Sequence, residues 1–277
     1  MNRYGRTGIR LSTDNYDYIY VTRWTKPGFP NDFGKVGEGP LIKLDNKIMR
    51  YDRQTMLPEI GEEGQEKLRK ASVLLVGVGG LGSPIALYLT AAGIGKLGIM
   101  DSDIVSLTNL QRQVLYTESE LDEVKTECAH KRLSALNSEV NIQSYSYKLT
   151  KENAEEIISK YDLVVDGCDN FPTRYLINDT CVKLGKPYVY GAIFGLQGQV
   201  SVFNHKSGKT YRDLFPDEEE MLAMPPLSKG VMGITPAVTG SVEASEVIKL
   251  ICGYGELLDG KLWTIDLRTM ESNIILL

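Results

Sequence analysis

The sequence predicts an α/β fold: a mainly parallel sheet with helices on both faces and antiparallel strands added towards the C-terminus. Three observations carry this. Short, unbroken apolar runs such as "SVLLVGV" (72–78) and "DLVVDGCD" (162–169) suit strands buried on both faces. Segments of helical length separate such runs, so strand and helix signals alternate from residue 72 to residue 195. Beyond them, "QVSVFN" (199–204) and "KLWTIDLRTMESNIILL" (261–277) read as antiparallel additions, separated by a helix over residues 236–251.

Taken in order, residues 1–48 are rich in Gly, Pro, Asn, Asp and aromatics, with no helical period and one brief candidate strand, "YDYIYVT" (16–22). They read as a peripheral arm or an over-extended start, with the functional unit, residues 49–277, beginning at Met49. In "MRYDRQTMLPEIGEEGQEKLRKA" (49–71) acids precede basic residues, as in a helix leading into a strand. Strand 72–78 then passes to a helix over 82–92, strand "KLGIMD" (96–101), a helix over 122–136 and strand "NIQSYSYK" (141–148). A helix capped by Thr150, strand 162–169, a helix over 172–184 and strand "PYVYGAIFG" (187–195) complete the alternation.

Composition narrows the function classes. A net charge of −5 over 277 residues gives no broad attraction for nucleic acid or an anionic membrane. Cys128, Cys168, Cys181 and Cys252 form no C-x-x-C pair, and only His130 and His205 add imidazoles, so no zinc site is expected. No apolar run approaches the ~20 residues that span a bilayer, and the N-terminus lacks a secretory apolar core. The reading is a reduced, cytoplasmic protein whose partners are proteins or small molecules.

Gly77, Gly79 and Gly82 fit G-x-G-x-x-G between a strand and a helix, where missing side chains permit a tight turn and close approach of phosphate to backbone amides. Asp101, 24 residues after Gly77, ends the second strand, where a carboxylate hydrogen-bonds a ribose hydroxyl. The unit is Rossmann-like and suits an adenosine nucleotide, either a redox cofactor or a phosphate donor. "DSDIVSLTNLQRQ" (101–113) then places Asn109, Arg112 and Gln113 after that strand, and Lys125 opens the next helical region. Arg112 and Lys125 either bring two cations to one polyphosphate or belong to a solvated helix face. "DGCDN" (166–170) puts Asp166, Asp169 and Asn170 at the carboxyl edge of the sheet, with Arg174 following. Asp169 suits Mg²⁺ carried in by a nucleotide, a helix N-cap, or both.

Together, "RYDRQ" (50–54), "GVGGLGSP" (77–84), "DSDIVSLTNLQRQ", Lys125 and "DGCDN" resemble the ThiF/MoeB/HesA family, bacterial relatives of the ubiquitin-activating enzymes. The resemblance runs from about Met49 to the C-terminus. It implies ATP-dependent adenylylation of the C-terminal glycine of a small ubiquitin-like sulfur carrier ending in Gly-Gly, for thiamine thiazole (slightly favoured) or molybdopterin synthesis. It also implies that Gly80, Asp101, Thr108, Asn109, Leu110, Gln111 and Arg112 contact ATP, that Arg112 and Lys125 hold phosphates, and that Asp169 binds Mg²⁺. Arg53 matches an arginine that reaches into the partner subunit's site, which implies a homodimer. The "YGAIFGLQGQ" stretch (190–199) resembles the surface along which the carrier's tail lies.

Two departures matter. Many members carry two C-x-x-C pairs binding zinc; here Thr210 and Asp213 stand at the first pair's positions and no second pair follows. The loop that holds a reactive cysteine in the family corresponds to residues 216–229, which contain none. Cys168 reads as an inert core residue in preference to a nucleophile. Activation is therefore expected to stop at the acyl-adenylate, with sulfur delivered by a separate donor. A peptide-modifying relative that uses the N-terminal arm as a clamp, and a silent carrier-binding scaffold, are the alternatives; a dehydrogenase is disfavoured because it has no use for a triphosphate cluster.

Overall fold

The structure is a computed structural model that describes residues 46–224 and 230–277. Residues 1–45 of the expected N-terminal arm (1–48), with its candidate strand, lie outside the described residues, while residues 46–48 already belong to the first helix. Leu44–Leu277 forms one compact unit.

Two helices lead in: α1 (Asn46–Thr55) and α2 (Gly61–Lys70). The sequence had suggested one helix here. The chain breaks at residues 56–60, where Leu57 N–H and Ile60 N–H bond in turn fashion to Gln54 O and Leu57 O, both at 3.0 Å. Pro58 explains the break, since it has no N–H to donate and disfavours helical backbone at Leu57.

The alternating core follows as β1 (Ser72–Val76), α3 (Gly82–Ala92), β2 (Lys96–Met100), α4 (Lys125–Leu136), β3 (Asn141–Tyr145), α5 (Ala154–Ile158), β4 (Leu163–Asp166), α6 (Phe171–Leu184) and β5 (Tyr188–Phe194). β6 (Gln197–Phe203), α7 (Tyr211–Leu214), α8 (Glu218–Ala223), α9 (Ile234–Cys252), β7 (Lys261–Asp266) and β8 (Glu271–Leu276) complete it. α5 starts later than expected. Its N-cap is Asn153, whose Oδ1 accepts from the backbone N–H of Thr150 at 2.9 Å, so Thr150 belongs to the turn that precedes the helix.

All eight strands join one sheet in the order β3-β2-β1-β4-β5-β6-β7-β8, with β3 to β5 parallel and β6, β7 and β8 antiparallel, as the sequence predicts. Alternate residues serve opposite faces. Val73 and Leu75 meet Ile85 and Leu89 of α3 and Val247 of α9 in one apolar cluster; Leu74 and Val76 meet Ile157 of α5 and Tyr175 and Ile177 of α6 in the other. Each such fully buried side chain contributes roughly 1.5–3 kcal/mol. The chain runs outward from β1 to β3 and then returns to β4 on the other side of β1. That reversal opens a crevice beyond the carboxyl ends of β1 and β4, the place where open α/β sheets bind ligands.

Candidate functional site

The glycine turn fills that crevice. Gly77 has φ +92°, in the left-handed region, and a Cβ there would lie 2.5 Å from Gly167 O. Conversely, a Cβ on Gly82 would stand 2.1 Å from Gly77 O. The turn is thus closed on itself and pressed against the loop after β4, leaving residues 78–80 to face the crevice at the start of α3.

Each of those three residues meets a different side chain. Val78 N–H donates to Asp101 Oδ2 at 3.0 Å. A Cβ on Gly79 would lie 3.4 Å from Gln113 Nε2, and one on Gly80 would lie 3.5 Å from Arg112 Cδ. Tyr116 supports the turn from below, its buried hydroxyl donating to Val78 O at 2.8 Å. The segment 101–116 therefore wraps the turn, and the sequence-predicted Asp101, Arg112 and Gln113 converge on it.

Three short-range bonds shape this wrap. Arg112 Nη1 donates to Thr108 O at 3.1 Å, and the Arg112 and Gln113 amides donate to Asn109 O at 3.0 and 2.9 Å. Leu110 packs partly buried against the core, while Gln111 is exposed and its carbonyl lies 2.3 Å from where a Cβ on Gly233 would be. Gly233 and Pro236 bring the first turn of α9 against the site, a contribution that nothing in the local sequence pattern signals.

Lys125 is buried at the start of α4. Its Nζ donates to the exposed Asp103 at 3.2 Å, and Asp103 N–H in turn donates to Asp101 Oδ1 at 2.9 Å. One short chain of bonds thus ties Lys125 to Asp101.

Across the crevice, Asp169 and Asn170 follow β4, both exposed. The cap of α6 is Asn170, whose Oδ1 accepts from Thr173 N–H at 3.0 Å. Asp169, the residue read as cap or metal ligand, is free of the capping role, and among the described residues it has no cation partner; its one bond is a long 3.4 Å contact from Asn170 Nδ2. An exposed carboxylate without a cation, at the edge of this crevice, suits a hard cation such as Mg²⁺.

Arg174 and Asp166 do not join the open site. Asp166 is fully buried and accepts from Arg174 Nε at 3.0 Å, Tyr188 hydroxyl at 2.9 Å and Cys168 N–H at 2.8 Å. Arg174 also donates to Cys168 O at 2.9 Å and Gly191 O at 3.2 Å. Arg174 is a strut between β4, β5 and α6. Beside it lies Glu243 of α9, fully buried, with both carboxyl oxygens unpartnered among the described residues. Burial, and then the Asp166 carboxylate, hold its carboxyl well above the usual range.

Cys168 follows β4 and is buried, its thiol pushed up by burial and by Asp166. Burial likewise raises Cys128 to about 11 and Cys181 to about 12. At Thr210 and Asp213 a capping box replaces the expected cysteine pair: Asp213 Oδ2 accepts from Thr210 N–H at 2.8 Å and from its hydroxyl at 2.9 Å. Arg53 stands apart. Its helix packs through Gln54 on Ala92 O and through Tyr51 on Gly93, the far end of α3, which at 11 residues is about 16 Å long.

Residues 51–276 match the ThiF family. The chain is 51% identical over 226 residues to the "Sulfur carrier protein adenylyltransferase" of Thermus thermophilus, an alignment covering 79% of this chain and 83% of that one. It is 46% identical over 214 residues to the "Probable molybdopterin-synthase adenylyltransferase" of Porphyra purpurea, covering 76% of this chain and 56% of that one; it spans about half the length of several other curated relatives it matches. A crystal structure of E. coli MccB shares the fold at TM-score 0.72 and 24% identity, over 82% of this chain and 69% of that one. The chain belongs to the ThiF family.

Proposed function

We propose that this ThiF-family chain is an adenylyltransferase that uses ATP and Mg²⁺ to activate the C-terminal glycine of a small sulfur-carrier protein. The observation that carries it is the convergence of Asp101, Gln113 and Arg112 on successive residues of the glycine turn, opposite an unpaired Asp169. The activities named for the two curated relatives agree with this reading. Of the two pathways, thiamine thiazole synthesis stays slightly favoured over molybdopterin synthesis, as the sequence resemblance implies.

The nucleotide lies along the turn, its ribose at Asp101 and its phosphates towards the N-terminus of α3 and Arg112. The attacking group is a carboxylate already ionised at neutral pH, so no general base is needed. It displaces pyrophosphate: an oxygen–phosphorus bond forms at the α-phosphorus as the bond to the bridging oxygen breaks. Catalysis is then positioning and neutralisation of charge, with Arg112 and Lys125 as the cations. Bound at Asp169, Mg²⁺ would add further neutralisation of the phosphates.

Four buried thiols, with Cys128, Cys168 and Cys181 all raised, support a reaction that ends at the acyl-adenylate, with sulfur brought by a separate donor. Arg53 serves a site only if a second copy supplies it, because its own helix packs at the far end of α3. A homodimer is the reading that uses it, and exposed Leu107, Val114, Met232 and Ile234 offer apolar surface for such a contact.

The test is ATP–pyrophosphate exchange with and without carriers of the thiamine and molybdopterin types ending in Gly-Gly. Exchange that depends on one of them supports the proposal and identifies the carrier. Nucleotide binding without exchange for either would overturn it in favour of a carrier-binding scaffold or a peptide-modifying relative.

A further inference from the structure

Gln113 combines two properties that rarely coincide. It is a polar residue only 5% exposed, and its Oε1 has no hydrogen-bond partner among the described residues. A buried carbonyl left without a donor is destabilising by roughly 1–3 kcal/mol, so such a group calls for an explanation, a bound water, ion or ligand among them. Its surroundings indicate which one.

Along the turn, Val78 is held by Asp101, Gly79 is faced by Gln113 and Gly80 is faced by Arg112. The carboxylate end of this series suits ribose and the guanidinium end suits phosphate. Gln113 lies between them, next to the ribose end. An orphaned acceptor requires a donor from the ligand. In that part of a nucleotide the phosphate offers none, and the ribose offers two hydroxyls, of which Asp101 takes one.

We propose that Gln113 is a nucleotide-binding residue whose Oε1 accepts a hydrogen bond from the ribose hydroxyl that Asp101 leaves free. The inference rests on the nucleotide reading above and adds to it a determinant of ribose over deoxyribose. The Thr108 and Asn109 carbonyls fix the approach of Arg112 and Gln113 to the turn.

The experiment is calorimetric titration of the full chain with ATP, 2′-deoxy-ATP and 3′-deoxy-ATP, for wild type, Gln113→Leu and Gln113→Glu. Wild type is expected to lose about fivefold in affinity for each deoxy analogue, one loss through Asp101 and one through Gln113. In Gln113→Leu one of those two losses disappears and the other stays; in Gln113→Glu, which keeps the acceptor, both stay. A packing role beneath Gly79 would leave both losses intact in Gln113→Leu, and that result overturns the proposal. Gln113→Met, close in shape to Gln, gives the same comparison should the leucine variant fail to fold. If wild type binds none of the three nucleotides, the functional reading itself fails, which is distinct from binding without the Gln113-dependent difference.

Discussion

Asp101 and Asp166 stand at one sheet edge, the first just after β2 and the second closing β4, yet they carry opposite burdens. Asp101 is half-buried and accepts only backbone N–H groups, from Val78 and Asp103. Asp166 is sealed from solvent and held by a guanidinium, a phenol and a backbone N–H. The first is open to a ligand, whereas burial closes the second off from one. A carboxylate at a strand end is therefore a site residue or a structural one according to how far it is buried and what already holds it.

The sharpest way to break this comparison is Arg174→Leu. Removing the cation strands Asp166 as an uncompensated buried charge, which destabilises by about 3–5 kcal/mol. Urea denaturation should show a large fall in midpoint. A variant as stable as wild type but dead in pyrophosphate exchange would move Arg174 into the site and refute the division drawn here.

On the other side of the comparison, Asp169→Ala or Arg112→Ala should slow exchange about a hundredfold or more, close to 3 kcal/mol, by analogy with loss of one charge-stabilising donor. Stability should stay within about 0.5 kcal/mol, because both groups are at least partly exposed and anchor little. Near-normal exchange in either variant would remove it from the proposed machinery.

The division was only partly legible in the sequence. Alternation of apolar runs with helical segments was enough for the sheet, since strands buried on both faces admit few polar residues, and the helix over 82–92 matches α3 in both bounds. The inward direction of Arg174 was not legible. It depends on which face of α6 meets β5, and the partner that settles it, Asp166, is eight residues away by sequence but reached only through the folded sheet. Glu243 was invisible for a similar reason: "SVEASEVIK" reads as an ordinary acidic helix face, and only Gly191, whose missing side chain leaves room for the carboxyl, turns it inward.

Glu243 sharpens the comparison further, because among the described residues its carboxyl has no hydrogen-bond partner. Its folded-state pKa is raised, so the fold favours the protonated form while the unfolded chain ionises near the ordinary value of 4.5. Stability linked to this group is fully present below pH 4.5 and declines as pH rises towards the folded pKa, by up to about 1.4 kcal/mol per pH unit. Glu243→Gln removes that slope. Denaturation midpoints taken at pH 5, 6, 7 and 8 should show the variant gaining on wild type as the pH rises; parallel pH profiles would mean that Glu243 is ionised and paired in solution.

The smallest effect separates the two residues that follow Cys168. Asn170 holds Thr173 N–H at the start of α6, and replacing such a cap by alanine costs about 1 kcal/mol. Asn170→Asp keeps the capping oxygen and should restore the stability, yet it sets a second negative charge beside Asp169. If Asp169 holds the nucleotide's cation, the added carboxylate should change the Mg²⁺ concentration needed for half-maximal exchange, while Asn170→Ala leaves it nearly unchanged. Were alanine to shift that concentration as far as aspartate does, the cap and the cation ligand would be one unit, and the line between fold and function would run through Asn170 itself.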